Sequence, residues 1–294
     1  MKKYTKFRPR IRSRHPSHRV IRPNTNNLPL LPFKSIIRLG STTHMSDTIT
    51  NNGNRIELNT VNAIKNSANK LLMKQSFSEN NVKTANWWKF DGELFYKFNT
   101  HEVDESQEDE LIANFEDLPY PIISKHIYGS RGSGNIKHNN PESLKTWMEN
   151  RNLDNYIFEK YYSYLREYRL HVDSDGCFYT CRKMLKRDTP ENSKWYRNND
   201  HCVWIMEDNE LFDKPTNWND IVNESVKALN SVGLDFGAVD VKIQSATNKE
   251  GKIRDYPEFI IIEINSAPSF GKVTAEKYIE QLPKLLNKKY EQQQ

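Results

Sequence analysis

One stretch near the end of the chain, residues 258–268, constrains the fold more than any other. It reads EFIIIEINSAP, so apolar and largely β-branched residues run directly into a carboxylate and an amide two positions apart. Such a run favours a strand buried on both faces. Side chains two positions apart on a strand share a face, so Glu263 and Asn265 are predicted to lie together. Ionised glutamate is rarely buried unless it is paired or holds a cation; the alternative is a strand that ends in solvent.

A second predicted strand, residues 237–243, supplies another oxygen ligand. It reads GAVDVKI, with Asp240 and Lys242 on the face opposite its valines. We expect this strand to pair with the strand of Glu263, which would bring Asp240, Glu263 and Asn265 together. Oxygen donors of this kind suit Mg²⁺, so the pattern predicts one or two Mg²⁺ ions that bridge nucleotide phosphates.

A glycine-rich loop follows a short apolar strand that delivers Lys125. The loop reads GSRGSG, and glycines allow backbone N–H groups to approach a phosphate closely. Lys125 would add charge. The alternative is a turn that only joins two strands. The loop residues predicted to contact phosphate are Gly129, Ser130, Arg131, Gly132, Ser133 and Gly134.

Charged strands follow the loop. Residues 156–161 and 166–172 are predicted strands, and residues 178–184 would form the second arm of a hairpin with the latter. Their charged faces offer Arg169, and Arg182 or Lys183, as phosphate ligands, although a row of charges on a strand is usually a solvated face. A polar loop adds two candidates for contact with a reactive phosphate, Arg197 and Asn198.

The remaining elements follow from periodicity and turn residues. The pattern predicts a strand at 35–40, one amphipathic helix over 59–75, a hairpin within 82–98 and a helix over 216–232. Asn140 and Pro141 are typical of a helix start. The run from His101 to Asp117, with eight acidic residues and no lysine or arginine, is predicted to cover an exposed helix.

Composition restricts the class of protein. The 294 residues, of which 36% are hydrophobic, allow one large or two modest lobes. No stretch approaches the roughly 20 apolar residues of a membrane span, and the N-terminus lacks an apolar signal core. We therefore expect no membrane partner. Three cysteines do not suggest a disulfide framework, so we expect a protein of the reducing cytoplasm. The set Cys177, Cys181, His201 and Cys202 has no standard zinc spacing, which favours ordinary packing.

The N-terminus is strongly basic. Residues 1–23 contain nine lysines and arginines, three prolines and no acidic residue. This composition predicts a segment that is disordered when free. The arginines at alternate positions from Arg8 to Arg14 suit an acidic partner or nucleic acid; a solvated tail is the alternative.

In chain order, these features resemble the ATP-grasp superfamily, in particular its carboxylate–amine ligases, including the peptide-tailing glutamate ligases. The resemblance covers about residues 60–290, and no single motif decides it. It implies an α+β, two-lobed ATP-grasp fold with the nucleotide between two β-sheet lobes and a reduced N-terminal region. The implied divisions are a basic disordered tail (1–33), a reduced N-terminal region (34–84), a small lobe with the glycine loop (85–160) and a large lobe with the metal site (161–294).

The resemblance also implies residue roles. Lys125 and the loop would contact the ATP phosphates, while Glu159, Lys160 and Tyr161 would lie beside the adenine and Glu167 beside the ribose. The catalytic set, which would face the γ-phosphate and an acyl-phosphate, is Arg169, Arg182, Lys183, Arg197 and Asn198. Mg²⁺ would be held by Asp240, Glu263 and Asn265.

The implied function is an ATP- and Mg²⁺-dependent ligase that joins a small-molecule or peptide carboxylate to an amine through an acyl-phosphate. Two features depart from the family, because the region before residue 60 is short and the basic tail is not a family feature. One alternative is a non-catalytic ATP-grasp-like protein that binds a nucleotide or nucleic acid.

A protein kinase is the second alternative. Residues 235–237 read DFG and residues 239–242 read VDVK, which mimic two kinase motifs. Their order is wrong, because the kinase lysine precedes the catalytic loop and DFG. The segment that begins at His171 lacks the required asparagine, since position 178 is Phe.

Overall fold

The computed structural model describes residues 18–21, 35–42, 56–98, 112–129, 132, 134–197, 201–269 and 271–292. Within these ranges the chain is an α+β protein with three sheets. The strands are β1 His18–Ile21, β2 Ser35–Arg38, β3 Ile56–Leu58, β4 Trp87–Phe90, β5 Phe95–Phe98, β6 Ile112–Ala113, β7 Ile122–His126, β8 Ile136–His138, β9 Tyr156–Lys160, β10 Arg166–Asp173, β11 Gly176–Leu185, β12 Cys202–Met206, β13 Phe236–Ile243 and β14 Phe259–Asn265. The helices are α1 Val61–Ala68, α2 Lys70–Glu79, α3 Pro141–Met148, α4 Trp218–Ser231 and α5 Lys272–Glu291.

The five-stranded sheet has the order β12-β11-β10-β13-β14, and its neighbouring strands are antiparallel. One of its faces is apolar and packs against helices α1, α2 and α4 in the largest hydrophobic core. The other face carries charged side chains because side chains alternate along each strand. The predicted pairing of the Asp240 strand with the Glu263 strand is confirmed.

A β-bulge adjusts the register where β13 and β14 meet the charged face. Asp240 lies opposite Glu263, whereas its neighbour Val241 lies opposite Ile261. One extra residue is therefore inserted in β14, which keeps Val241 and Ile261 in the apolar core while Glu263 stays beside Asp240. The bulge thus aims the end of β14 at the charged face.

The six-stranded sheet has the order β6-β5-β4-β9-β7-β8. Its β4–β5 hairpin confirms the predicted turn within residues 82–98. Strands β7 and β8 are antiparallel neighbours, so the glycine-rich segment connects two arms of a hairpin. Helix α3 begins as predicted, with Asn140 as its N-cap and Pro141 as its first residue.

The three-stranded sheet is parallel, with the order β1-β2-β3. Apolar residues of β2 and β3 pack against α5 and against Phe236. The tail prediction is wrong at residues 18–21, since they form strand β1 beside β2. The physical reason is that a strand needs backbone hydrogen bonds from a partner strand, and amino-acid composition alone does not reveal such a partner. The rest of the predicted tail lies outside the described residues.

Two helix predictions need correction. The helix predicted over 59–75 is two helices, α1 and α2, separated by Asn69 in an extended conformation. The Asn69 side chain accepts hydrogen bonds from the backbone N–H groups of Leu71 and Leu72, which favours a new helix start over continuation. In the acidic run, residues 112–113 form β6 and 115–117 a turn, not a helix, while residues 99–111 lie outside the described part. No helix in the described ranges is long and apolar enough to cross a membrane.

Candidate functional site

The charged face of the five-stranded sheet holds a tightly paired arginine and aspartate. Arg169 on β10 lies directly opposite Asp240 on β13. Its Nε and Nη2 atoms donate to the two Asp240 carboxylate oxygens at 2.6 and 2.8 Å. This two-pronged geometry is the strongest form of ion pair between these residue types, and it places a fixed guanidinium at the centre of the face.

Lys183 extends the pair into a network. Its Nζ atom donates to Glu167 at 2.7 Å and to Asp240 at 3.2 Å. Burial of Asp240 would raise the pKa of its carboxyl, but Arg169 and Lys183 outweigh burial and hold this pKa well below its ordinary value. Asp240 therefore stays ionised. Glu167, the residue predicted beside the ribose, is buried and engaged by Lys183.

The predicted metal ligands converge at the end of the same face. Glu263 lies opposite Asp240, and the Asn265 amide donates to Glu263 Oε1 at 3.4 Å. The Glu263 side chain is 30% exposed whereas that of Asp240 is 4% exposed. The two carboxylates and the amide oxygen are hard donors that suit Mg²⁺. In the described residues no group of three or more His, Cys, Asp and Glu side chains is arranged to hold a metal.

A second charged group comes from the six-stranded sheet. Lys125 Nζ on β7 lies 2.6 Å from Glu159 Oε2 on β9, and Lys74 Nζ on α2 lies 3.3 Å from Glu159 Oε1. Burial lowers the pKa of Lys74 to about 8, although Glu159 opposes this shift. The position of Glu159 beside the adenine stays a prediction. A buried carboxylate needs a cation, and here it pairs with two lysines.

Aromatic and basic side chains follow Glu159. Two ammonium groups lie over the Tyr161 ring, with Lys137 Nζ 4.6 Å and Lys242 Nζ 5.1 Å from its centroid. Lys160 Nζ lies 5.5 Å from the centroid of Tyr162. Burial lowers the pKa of Lys242 to about 8. Lys242 is opposite Glu167 in the strand register, so this segment adjoins the network around Lys183.

One side chain connects the glycine loop to strand β14. Lys70 on α2 donates to the Gly129 carbonyl, and its Nζ atom lies 3.8 Å from Glu263 Oε2. Gly132 and Gly134 have φ angles of +77° and +79°, a backbone region that favours glycine. The predicted loop contacts Ser130, Arg131 and Ser133 lie outside the described residues.

Arg197 joins the site and Arg182 does not. Arg197 Nη1 lies 4.0 Å from Glu167 Oε2, and its Nη2 donates to the Leu165 carbonyl. Arg182 donates to Asp213, and its guanidinium lies 5.7 Å from the ring centroid of the core residue Tyr168. It lies on the opposite face from Lys183 because successive strand side chains alternate, which corrects its predicted role. Asn198 lies outside the described residues.

The assembled site carries more positive than negative charge. It contains seven basic side chains and four carboxylates. The basic residues are Lys70, Lys74, Lys125, Arg169, Lys183, Arg197 and Lys242, and the acidic residues are Glu159, Glu167, Asp240 and Glu263. Several of these groups are almost fully buried, where unbalanced charge is costly. Such an excess of buried positive charge attracts a polyanion.

Three of these lysines, Lys70, Lys74 and Lys242, were not predicted to act in the site. Lys74 has no exposed surface and lies among the buried residues Met73 and Phe77 on α2. The sequence signal for Lys74 was its position within the apolar stripe of a helix, because a buried lysine requires a partner. Lys70 lies one helical turn earlier and shares that side of the helix.

The kinase-like and zinc-like patterns have structural explanations. The backbone N–H of Asp235 donates to Asn59 Oδ1 at 2.8 Å, and its carboxylate lies 2.6 Å from Lys289 Nζ on α5. The DFG sequence is therefore the start of strand β13, with Asp235 immediately before it. Burial raises the pKa of Cys177 to about 11 and of Cys181 to about 12, which disfavours the thiolates that bind zinc.

Comparison with solved structures identifies the fold. D-alanine–D-alanine ligase from Bacillus anthracis is similar over 88% of this chain and 81% of its own, with 12% identity and a TM-score of 0.56. Carboxyaminoimidazole ribonucleotide synthase from Aspergillus clavatus is similar over 86% and 60%, with 14% identity and a TM-score of 0.53. The ATP-grasp ligase PsnB, complexed with a minimal precursor, is similar over 86% and 79%, with 12% identity and a TM-score of 0.50.

No protein-family model matches the chain, and no curated protein matches it in sequence. The likeness therefore lies in the backbone, at identities of 12–14% for these three ligases. Sequence and structure agree on antiparallel strand pairing and on a glycine-rich segment next to strand β7. The chain has the ATP-grasp fold.

Proposed function

We propose that this protein is an ATP- and Mg²⁺-dependent carboxylate–amine ligase that forms an amide through an acyl-phosphate. The observation that carries the proposal is the excess of buried basic side chains around Asp240, Glu263 and Asn265. A nucleoside triphosphate with its metal supplies the negative charge that this site lacks. The similar structures include ligases, which supports the same reaction class.

Each sheet contributes a different part of the proposed nucleotide site. On the side of the six-stranded sheet, Lys125 and the glycine hairpin bind the phosphates. Lys70 supports the hairpin through its hydrogen bond to the Gly129 carbonyl. Arg169 and Lys183 face the reacting groups from the five-stranded sheet. Mg²⁺ held by Glu263, Asn265 and Asp240 would neutralise charge on the phosphates.

The reaction needs positioning and charge stabilisation from the chain. A carboxylate oxygen of the substrate attacks the γ-phosphorus, the bond to the ADP oxygen breaks, and an acyl-phosphate forms. An amine nitrogen then attacks the acyl carbon, phosphate leaves, and the nitrogen loses a proton. Arg169, Lys183 and Arg197 stabilise the negative charge that develops on the transferred phosphoryl group. No nucleophile of the protein is required.

The proposed substrates are a small-molecule or peptide carboxylate and an amine. The test is incubation of the protein with ATP, Mg²⁺, mixed amino acids and candidate acceptors, followed by mass spectrometry for an added amide-linked mass. Hydroxylamine should trap the acyl-phosphate as a hydroxamate, and label from γ-labelled ATP should appear as inorganic phosphate. Stable label on a hydroxyl group would contradict the ligase proposal and favour a kinase.

A non-catalytic nucleotide-binding protein is the second candidate. The observation that favours it is the complete engagement of both Asp240 oxygens by Arg169 and Lys183. A protein that never binds a metal at this position would neutralise its buried aspartate in this way. Binding of ATP without any Mg²⁺-dependent turnover, hydroxamate or amide product would support this candidate.

Glu263 provides the sharpest test of the metal site. We expect Glu263→Gln to abolish Mg²⁺-dependent ATP turnover and to retain the fold, because the substitution removes an anionic ligand at a partly exposed position without changing its shape. Glu258→Gln is the matched control, since Glu258 precedes the same strand and pairs with Lys83 at 2.8 Å. Turnover should be measured by phosphate release at several Mg²⁺ concentrations. Parent-like turnover by Glu263→Gln would contradict the metal assignment.

A further inference from the structure

Lys74 lies between the two sheets of the candidate site and has no exposed surface. Its Nζ atom lies 3.3 Å from Glu159 Oε1 and donates a hydrogen bond to Thr84 Oγ1. Thr84 in turn donates to the carbonyl of Ile261 on β14 at 2.7 Å. A buried ammonium is costly unless its partners compensate it, so its position needs a specific explanation.

The charges around Glu159 do not balance one to one. Lys125 Nζ lies 2.6 Å from Glu159 Oε2, so one carboxylate faces two ammonium groups. Glu159 and Lys125 are 3% and 7% exposed. One carboxylate neutralises one ammonium, and the second positive charge is left over in a buried position. The second buried ammonium therefore carries a desolvation cost that Glu159, already paired with Lys125, compensates only in part.

We propose that Lys74 is a positioning residue that shares Glu159 with Lys125 and so leaves Lys125 available to an anionic ligand at the glycine loop. This inference rests on the proposed nucleotide site. Because two cations compete for Glu159, the contact between Glu159 and Lys125 is weaker than it would be in an isolated pair. When a phosphate binds Lys125, Lys74 remains beside Glu159, so that the buried carboxylate is not left unpaired.

The anchoring of Lys74 explains why the two lysines are not equivalent. Met73 and Phe77, its neighbours on α2, are buried in the core beneath the five-stranded sheet. The hydrogen bonds through Thr84 tie the ammonium to β14. Lys125 belongs to β7, four residues before Gly129 and the hairpin that follows. Lys74 is thus the fixed counter-ion and Lys125 the one that lies next to the ligand.

The test measures the dissociation constant of ATP with Mg²⁺ by calorimetry. We expect Lys74→Met to weaken ATP binding about tenfold, the effect of losing one charge contact, because Glu159 then holds Lys125 alone. Lys125→Met should also weaken ATP binding. In the Lys125→Met background, Lys74→Met should add little or no further loss, since Lys74 acts through Lys125.

A suppressor variant separates this role from a purely structural one. In the double variant Lys74→Met with Glu159→Gln, no carboxylate retains Lys125, so ATP binding should return to near the parent value. A structural contribution predicts the opposite, because the second substitution in the same buried cluster would add to the loss. Lys65→Met, at an exposed position on α1, is the control and should bind ATP as the parent does.

Thermal unfolding of each variant distinguishes weak binding from unfolding. Methionine fills the space of the lysine stem, so Lys74→Met should remain folded. Equal ATP affinity of Lys74→Met and the parent would overturn the inference. So would a full further loss in the Lys125→Met background, or failure of Glu159→Gln to restore binding in a folded double variant. If the parent does not bind ATP, the proposed function itself fails and the inference fails with it.

Discussion

At the scale of single residues, buried ionisable groups in this protein behave in two ways. Asp240 and Glu159 stay charged because cations contact them, and these contacts outweigh the effect of burial and lower their pKa values. His138 and His171 are held neutral instead. Burial lowers the pKa of His138 to about 4 and that of His171 to about 3. The two carboxylates belong to the candidate site, whereas His138 lies in the six-stranded sheet beside Ser124.

His138 therefore gives a prediction for pH dependence. Its pKa is lowered in the folded protein, so between about 6.5, the unfolded value, and about 4 the unfolded chain binds a proton that the folded protein does not. The free energy of unfolding should fall as the pH falls through this window, by at most about 1.4 kcal/mol per pH unit from this residue.

His138→Gln should remove that component. Denaturant unfolding of both proteins at pH 7, 6 and 5 measures the difference in their free energies of unfolding. We expect the advantage of the parent over the variant to shrink toward pH 5, because only the parent must keep a buried imidazole neutral. A difference that stays constant across the three pH values would contradict the assignment.

At the scale of elements, alternation along strands was predictable and register was not. The sequence showed that Asp240 and Lys242 share a face, and that Glu263 and Asn265 do, because a side-chain period of two is local. It did not show whether Arg182 or Lys183 reaches that face. The answer depends on β11 pairing Lys183 with Glu167 of β10, which is a contact between strands.

This register leads to a matched test on neighbouring residues. We expect Lys183→Met to weaken binding of ATP with Mg²⁺ about tenfold or more, because the lysine is a buried cation of the charged face. Arg182→Met should leave ATP binding unchanged. Loss of the Arg182 ion pair should cost no more than about 1 kcal/mol of stability, because the side chain of its partner Asp213 is 46% exposed.

Calorimetry and denaturant unfolding of the two variants provide the measurement. Equal losses of ATP affinity would show that Arg182 reaches the ligand after all and would contradict the placement of β11. The two substitutions replace a basic residue by the same side chain at adjacent positions, so the comparison controls for general effects on the strand.

At the scale of the whole molecule, helix α2 connects the parts that the sequence presented separately. Met73 and Phe77 pack in the core of the five-stranded sheet, while Leu71 packs against Trp87 and Ile157 of the other sheet. Most strands and the shared face of Glu263 and Asn265 were predictable because their signals are local. The pairing of Lys74 with Glu159 was not, since these residues are distant in sequence. The break at Asn69 had a local signal, an asparagine that can cap a helix, but the helical periodicity on either side favoured one continuous helix.

The three-stranded sheet supplies none of the residues of the candidate site, and this gives a prediction for truncation. Strand β1 provides a backbone partner for β2, whose residues Ile36 and Ile37 are buried, and β2 and β3 pack on α5. We expect removal of residues 1–17, which precede β1, to leave both the melting temperature and ATP affinity unchanged. Removal of residues 1–23 deletes β1, so the melting temperature should fall because β2 loses hydrogen-bond partners on one edge.

ATP affinity should be the same in both truncated proteins, because the basic and acidic groups of the candidate site come from residue 70 onward. Differential scanning fluorimetry and calorimetry on the two proteins measure these quantities separately. A lower ATP affinity after removal of residues 1–17 would mean that the basic N-terminus takes part in nucleotide binding. An unchanged melting temperature after removal of residues 1–23 would mean that β1 contributes little to the sheet, since its loss would then leave β2 and β3 as stable on α5 as before.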